Sequence, residues 1–364
     1  MTITHNHKDY SDLLKYYLKI ILQQNIPPMS KAYKYRGGQG ILDQDGHSIF
    51  KRDVTTLVNN QIYLPTKDGL NDPTEGVYGD DVLRMFFNVF YKYSHNVEEQ
   101  YNKFTEKFGK VGVYSLSKTF DNELLWAYYA SGHTGFAIEY DIDILERSFN
   151  YNDFAQQIYK FDVEYMDDVP QIDISTFRGN EENEILKKFI GTKSSSWVHE
   201  KEVRLIFENT GLLDIDFKAV TAIYFGCRMP DNDIDYIMEK LKGRRLKYYK
   251  MVNINNSYRF EAKEIDDKYH DASPYSVKSI SYDIDNLLLS GALTKEEKDA
   301  YKEYFIIALE MIKDDPFIDQ FNFATISYDH REPILKVFGN TKIPSAPVKS
   351  FEFKIKDGKV ERIK

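Results

Sequence analysis

Two carboxylates and a guanidinium recur at alternate positions in Trp197-Val-His-Glu200-Lys-Glu202-Val-Arg204. Read as a strand, this segment puts Glu200, Glu202 and Arg204 on one face at period two. Such a triad suits the wall of a polar cleft. The guanidinium keeps one carboxylate ionised, and the pair can act on a sugar, a phosphate or a metal. The alternative use of the same residues is a structural ion-pair network on a half-exposed strand. Two further polar groups stand earlier in the chain: Arg36, before Gly37-Gly38, and Ser115-x-Ser117. Each closes a run of strand character.

The elements that would carry these residues follow from periodicity. Ala32 to Arg36, Ile62 to Leu64, Val111 to Leu116, Gly135 to Tyr140, Trp197 to Phe207, Ala219 to Phe225 and Lys247 to Val252 read as strands. Leu13 to Leu22, Val82 to Phe108, Asn122 to Ala130, Glu181 to Ile190, Ile234 to Leu241 and Lys295 to Lys313 read as helices, with Tyr151 to Tyr165 opening as helix and ending as strand. The fold class expected is α+β: a mixed, mainly antiparallel sheet with flanking helices over residues 1–267. A smaller C-terminal α+β domain over 268–364 would follow the linker Asp271-Ala-Ser-Pro274 and end in a hairpin around Asp357-Gly358.

Composition narrows the setting. Aromatic residues make up 15% of the chain, too many for a disordered one. A formal charge of −9 argues against a general nucleic-acid coat and leaves a local basic groove open. The single cysteine, Cys227, excludes a disulfide framework and fits a reducing, cytoplasmic location. Met1 to Asp12 lacks the order of a signal peptide, and no apolar run approaches membrane-spanning length, so no membrane partner is expected. Homo-oligomerisation stays open.

Asn71-Asp72-Pro73, Ser115-Leu-Ser117, Trp126-Ala-Tyr128-Tyr129-Ala130, His133-Thr-Gly135 and Trp197-x-x-Glu200-x-Glu202-x-Arg204 occur in that order. In this combination the chain resembles a bacterial family catalogued as domain of unknown function 2971, over about residues 31–264. It departs at Tyr128, where that family usually has His. The order Arg36, Ser115-x-Ser117, Glu200-x-Glu202 also resembles the arginine, serine, glutamate pattern of ADP-ribosyltransferases, with a longer spacing from Ser117 to Glu200 than is usual there. That resemblance implies NAD as substrate and a defence or toxin setting, with a protein or nucleic acid as acceptor. Cleaving NAD at the nicotinamide ribose passes through an oxocarbenium-like state that a carboxylate stabilises. Glu202 is assigned that role, with Glu200 aligning or deprotonating an acceptor and Arg204 in support. Ser115 and Ser117 would orient ribose or the catalytic Glu. Arg36 would grip the pyrophosphate, Tyr35 or Tyr128 would stack on nicotinamide, and Asn71, Asp72, Trp126, Tyr128 and Tyr129 would line the cleft.

Other readings compete. Asn71-Asp72-Pro73 is also a loop held by Asx hydrogen bonds, and Trp126 and Trp197 are also core anchors. His133 and His199 lack metal-ligand spacing, so no metal site is expected. Gly37-Gly38-Gln-Gly40 is neither a Walker loop nor a dinucleotide fingerprint. Asp231 with Glu261-Ala-Lys263 faintly resembles a Mg²⁺-dependent nuclease pattern. Lys240, Lys242, Arg244, Arg245, Lys247 and Lys250, interleaved with Tyr248 and Tyr249, could track a nucleic-acid backbone. A non-enzymatic sensor or interaction protein in antiphage defence is the third class.

Overall fold

The computed structural model describes residues 31–363, apart from 44, 90–97, 100, 104, 107–108, 152–153, 156, 174–175, 177–181, 278, 290–292, 330–331 and 343–346. The helix expected over Leu13 to Leu22 lies outside the described residues. In chain order the strands are β1 (Lys31–Arg36), β2 (Gln61–Leu64), β3 (Gly112–Ser117), β4 (Phe136–Asp141), β5 (Asn150–Tyr151), β6 (Phe154–Ala155), β7 (Gln157–Asp162), β8 (Glu164–Met166) and β9 (Thr192–Ser194). They continue with β10 (Glu202–Phe207), β11 (Gly211–Asp214), β12 (Val220–Phe225), β13 (Lys247–Asn253), β14 (Phe260–Ile265), β15 (Ile318–Asp329), β16 (Glu332–Thr341), β17 (Val348–Lys356) and β18 (Lys359–Arg362).

The main sheet runs β14-β13-β12-β4-β1-β3-β10-β7. Its pairs are antiparallel except β12 with β13. Alternation divides the central strands. Tyr33 and Tyr35 join Trp126, Leu125, Ala137 and Tyr224 in one apolar cluster. Val113 and Ile206 join Leu83, Phe87, Ile185 and Leu186 in another. The C-terminal sheet is separate, β15-β16-β17-β18, and antiparallel throughout. Phe305, Leu309 and Ile312 of helix Lys295–Ile312 bury against Leu335, Val337, Phe351 and Phe353 of that sheet. Thr294 starts this helix as a capping box with Glu297. Asp357 and Gly358 both take positive φ, 50° and 74°, as a two-residue hairpin turn requires.

Two expected elements differ. Tyr151 to Tyr165 contains no helix among its described residues; β5 to β8 occupy it, and β7 gains its hydrogen bonds from β10. The strand expected from Trp197 begins only at Glu202. Ser195–Glu200 is a 3-10 turn started by Ser194, whose Oγ accepts from the Ser196 N–H, and ended by Lys201 in the left-handed region at φ 45°. Glu200 therefore belongs to a turn, and Glu202 and Arg204 to the strand.

One irregularity positions the site. β1 runs beside β4 from Lys31↔Asp141 to Arg36↔Phe136, and β3 beside β10 from Glu202↔Ser117 to Phe207↔Gly112. β1 and β3 meet, among the described residues, only at Tyr33↔Ser117. Beyond that point the sheet is split, and Lys34 Nζ bridges the gap by donating to the Ser115 carbonyl at 2.8 Å.

Candidate active site

A cavity of about 780 Å³ opens along this split, within the size range of small-molecule sites. Lys34, Arg36, Ser115, Ser117, Glu200 and Glu202 all line it, so the structure brings the ordered residues of three strands to one place. Asn71, Tyr129 and Tyr35 border it as well.

Five charged side chains form one buried cluster: Glu75, Lys193, Glu200 and Glu202 line the cavity, and Arg204 stands behind them. Arg204, fully inaccessible, donates to Glu202 through Nε at 2.8 Å and Nη2 at 3.2 Å. The same Nη2 donates to Glu75 Oε2, and Nη1 donates to the Ile190 carbonyl. Lys193 Nζ lies 2.7 Å from Glu200, 3.0 Å from Glu75 and 3.6 Å from Glu202. Three carboxylates thus face two cations, one negative charge in excess if all are ionised. Burying such a set is tolerable only because every charge is paired.

Their surroundings push the two glutamates of the Glu-x-Glu pair apart. Burial works against the Glu202 charge. Arg204, its hydrogen bonds and Lys193 outweigh that, and hold the carboxyl down to about 2. Burial raises Glu200 above the ordinary carboxylate range; Lys193 and the Tyr129 hydroxyl, which donates to Glu200 Oε1 at 2.6 Å, only partly offset it. Arg204 thus holds one carboxylate firmly ionised, while burial makes its neighbour the easier of the two to protonate, an asymmetry that acid–base chemistry can use. The backbone fixes both. Ser117 Oγ donates to the Glu200 carbonyl at 2.7 Å, and the Glu202 N–H donates to the Tyr165 hydroxyl at 2.8 Å. Ser115 lines the cavity, and its buried hydroxyl adds to the groups that hold the Glu202 charge.

A second charge group lines the same cavity. Asp53 takes Arg52 Nη2 at 3.2 Å and Arg36 Nε at 3.9 Å, so two guanidiniums share one carboxylate. Asp53 is delivered by helix Ile49–Val58, which Ser48 caps by accepting from the Lys51 N–H.

Not every expected residue reaches the cavity. Trp126 is wholly buried; its Nε1 donates to the Phe120 carbonyl and its ring meets Tyr35 edge-on at 5.1 Å, a core anchor. Tyr128 is exposed and lies outside the cavity lining, its ring turned to Trp197 and His199. Tyr35 does border the cavity, but its hydroxyl is tied to the Thr119 carbonyl and its ring belongs to the core cluster. Asp72 lies behind the wall: its Oδ1 accepts from the Thr74 N–H and hydroxyl, shaping the turn that aims Glu75. His133-Thr-Gly135 is a turn motif. His133 takes φ 71° and donates its N–H to the Trp126 carbonyl, and a Cβ on Gly135 would sit 2.1 Å from the Arg36 carbonyl.

The nuclease pattern does not assemble either. Asp231 opens helix Asp231–Lys240, while Glu261 and Lys263 lie exposed on the edge strand β14. Among the described residues, the group with ligand atoms close enough for a metal is Asp43, Asp45 and His47, a loop elsewhere in the chain. Part of the basic stretch is taken up by the fold, while Lys240, Lys242, Arg245 and Lys247 stay exposed. Arg244 Nη2 donates to the Val58 carbonyl at 2.6 Å, Tyr248 stacks on Phe225, and Lys250 Nζ donates to the Met229 carbonyl. No helix among the described residues is long and apolar enough to cross a membrane.

Lys193, Glu75, Lys34, Arg52 and Asp53 complete the site and were not singled out from sequence. Glu75 carried a signal, since it follows Asn71-Asp72-Pro73 by two residues. Lys34 carried one too, at period two from Arg36 on β1. Lys193, in Thr192-Lys-Ser194, carried none.

Comparison with known proteins agrees with part of this. Residues 125–205 match the model of a family described as Protein of unknown function (DUF2971). That span holds Trp126 to Tyr129, His133 to Gly135, the turn with Glu200 and the strand with Glu202 and Arg204; Asn71-Asp72-Pro73 and Ser115-x-Ser117 fall outside it. No curated protein and no solved structure matches the chain.

Proposed function

We propose that this cavity binds NAD and breaks its nicotinamide–ribose bond, passing ADP-ribose to water or to a protein or nucleic-acid acceptor. The observation that carries the reading is the convergence of Glu200 and Glu202, whose surroundings push their carboxyls in opposite directions, with Arg36 and Arg52 in one cavity. NAD presents the complementary charges, an anionic pyrophosphate and a cationic nicotinamide ring. The strands with the Glu-x-Glu, Ser-x-Ser and Arg36 residues lie side by side in the order β10-β3-β1, which supports the resemblance to ADP-ribosyltransferases.

In this reading the bond from ribose C1′ to the nicotinamide nitrogen breaks, and its electron pair goes to the ring. The ionised Glu202 stabilises the ribosyl cation that remains. The acceptor oxygen or nitrogen attacks C1′, and its proton passes to Glu200. Ser117 holds the turn that presents Glu200, and Lys193 keeps the two carboxylates at fixed separation.

Incubation with NAD labelled in its adenylate half, with and without cell lysate, tests the proposal. Label in free ADP-ribose marks a hydrolase, and label transferred to macromolecules marks a transferase. Label that stays in NAD under both conditions, with the protein shown to be folded, refutes it.

A further inference from the structure

Lys34 is the cation of this cavity without a carboxylate partner within salt-bridge distance among the described residues. Its Nζ holds one hydrogen bond, to the Ser115 carbonyl, and stands 5.0 Å over the Tyr114 ring. Its charged surroundings come from three elements: Arg36 on its own strand, Asp53 on helix Ile49–Val58, and Glu202 and Arg204 on β10. Beside it, Arg36 and Arg52 share Asp53, so this part of the cavity carries cations in excess of carboxylates. Arg52 is more than half exposed and donates to Asp53 through Nε and Nη2.

We infer that Lys34, Arg36 and Arg52 form a site for a phosphate group, and that filling it draws one proton onto Lys34. The inference deepens the NAD reading by making phosphate binding at that same cavity pH-dependent. With protein groups alone around it, burial first and then the Arg36 charge lower the Lys34 ammonium to about 7. An anion placed against Nζ reverses that balance and restores the ammonium. Above neutrality the proton must be taken up with the ligand, so affinity falls by up to about tenfold for each pH unit. Below about pH 6 the lysine is charged beforehand and affinity levels off.

The test uses ADP-ribose, whose diphosphate does not titrate near neutrality, with inorganic sulfate as a second non-titrating probe. Calorimetry at pH 8 in two buffers of different ionisation enthalpy reads proton uptake. Wild type is expected to take up close to one proton per ADP-ribose and to lose affinity from pH 7 to 9. Lys34→Arg, which keeps a permanent charge and guards against a folding artefact, should bind with no uptake and little pH dependence. Lys34→Met should bind weakly at every pH. Binding independent of pH in wild type, equal uptake in Lys34→Arg, or no binding of either probe overturns the inference. NAD is absent from the titration, so the two readings separate. Proton-linked binding without NAD cleavage retains this site and removes the proposed reaction, and cleavage without proton linkage does the reverse.

Discussion

Replacing Arg204 by Met should be among the most damaging single changes in the main sheet. Arg204 is completely buried and donates to Glu202, Glu75 and the Ile190 carbonyl. Met fills much of its volume but leaves two carboxylates with Lys193 alone. Removing one partner of a buried ion pair costs about 3–5 kcal/mol. The carboxyl shift gives a second route to the figure. Glu202 is held at about 2 against an ordinary value of 4.5, a gap that corresponds to roughly 3 kcal/mol. The sign follows from the depressed value. The Glu202 contribution is complete above the unfolded carboxyl range and is lost as pH falls through about 2. Urea unfolding of both proteins at pH 7 should therefore show the full loss, and the difference should shrink as pH is lowered through the carboxyl range. Adding Glu202→Gln to Arg204→Met should recover part of the stability, because one uncompensated charge disappears. A single variant within about 1 kcal/mol of wild type at pH 7 would refute the reasoning.

Three further outcomes separate core from cavity. Trp126→Ala should cost about 3–5 kcal/mol by denaturant unfolding, as expected for a buried anchor, whereas Tyr128→Ala should cost less than about 0.5 kcal/mol and leave NAD turnover intact. Gly135→Ala would force β4 from β1, since the new Cβ meets the Arg36 carbonyl; a loss of at least about 2 kcal/mol and a collapse of NAD binding should appear together in unfolding and titration. For Lys34 the folded value lies below the unfolded one, so the unfolded chain binds more protons between them. Wild-type stability should gain from this residue as pH rises from about 7 toward the ordinary lysine range, and Lys34→Met should flatten that part of the profile.

Much of the fold was legible in sequence because apolar alternation and helical spacing report burial directly. Lys31–Arg36, Gly112–Ser117, Phe136–Asp141 and Val220–Phe225 fall where periodicity placed them. β15 went unread because bulges break its period two between Ile318 and Gln320 and between Phe321 and Phe323; its partner β16 went unread with it. The turn at Ser195–Glu200 was read as strand because side-chain alternation cannot reveal that Lys201 takes positive φ. The site was half visible. Glu200, Glu202, Arg36 and the two serines converge, but the partners that set their charge come from loops and short strands far apart in the chain. Lys193 and Glu75 approach only because β9, paired with β8, and the Asp72 turn bring them to the Glu202 and Arg204 side chains; nothing local marks Lys193. Trp126 shows the opposite error: a motif tryptophan drew attention as a cleft residue when its size and its single N–H suit an edge-on core contact.

Nicotinamide release by the purified protein, measured beside Glu202→Gln, tests the central claim most directly. Wild type should release nicotinamide from NAD, and Glu202→Gln, folded by circular dichroism, should lose release by at least about 100-fold, the scale of removing a charge-stabilising group. Equal release by both proteins would contradict the role given to Glu202, and no release by wild type, with or without lysate, would contradict the reaction itself.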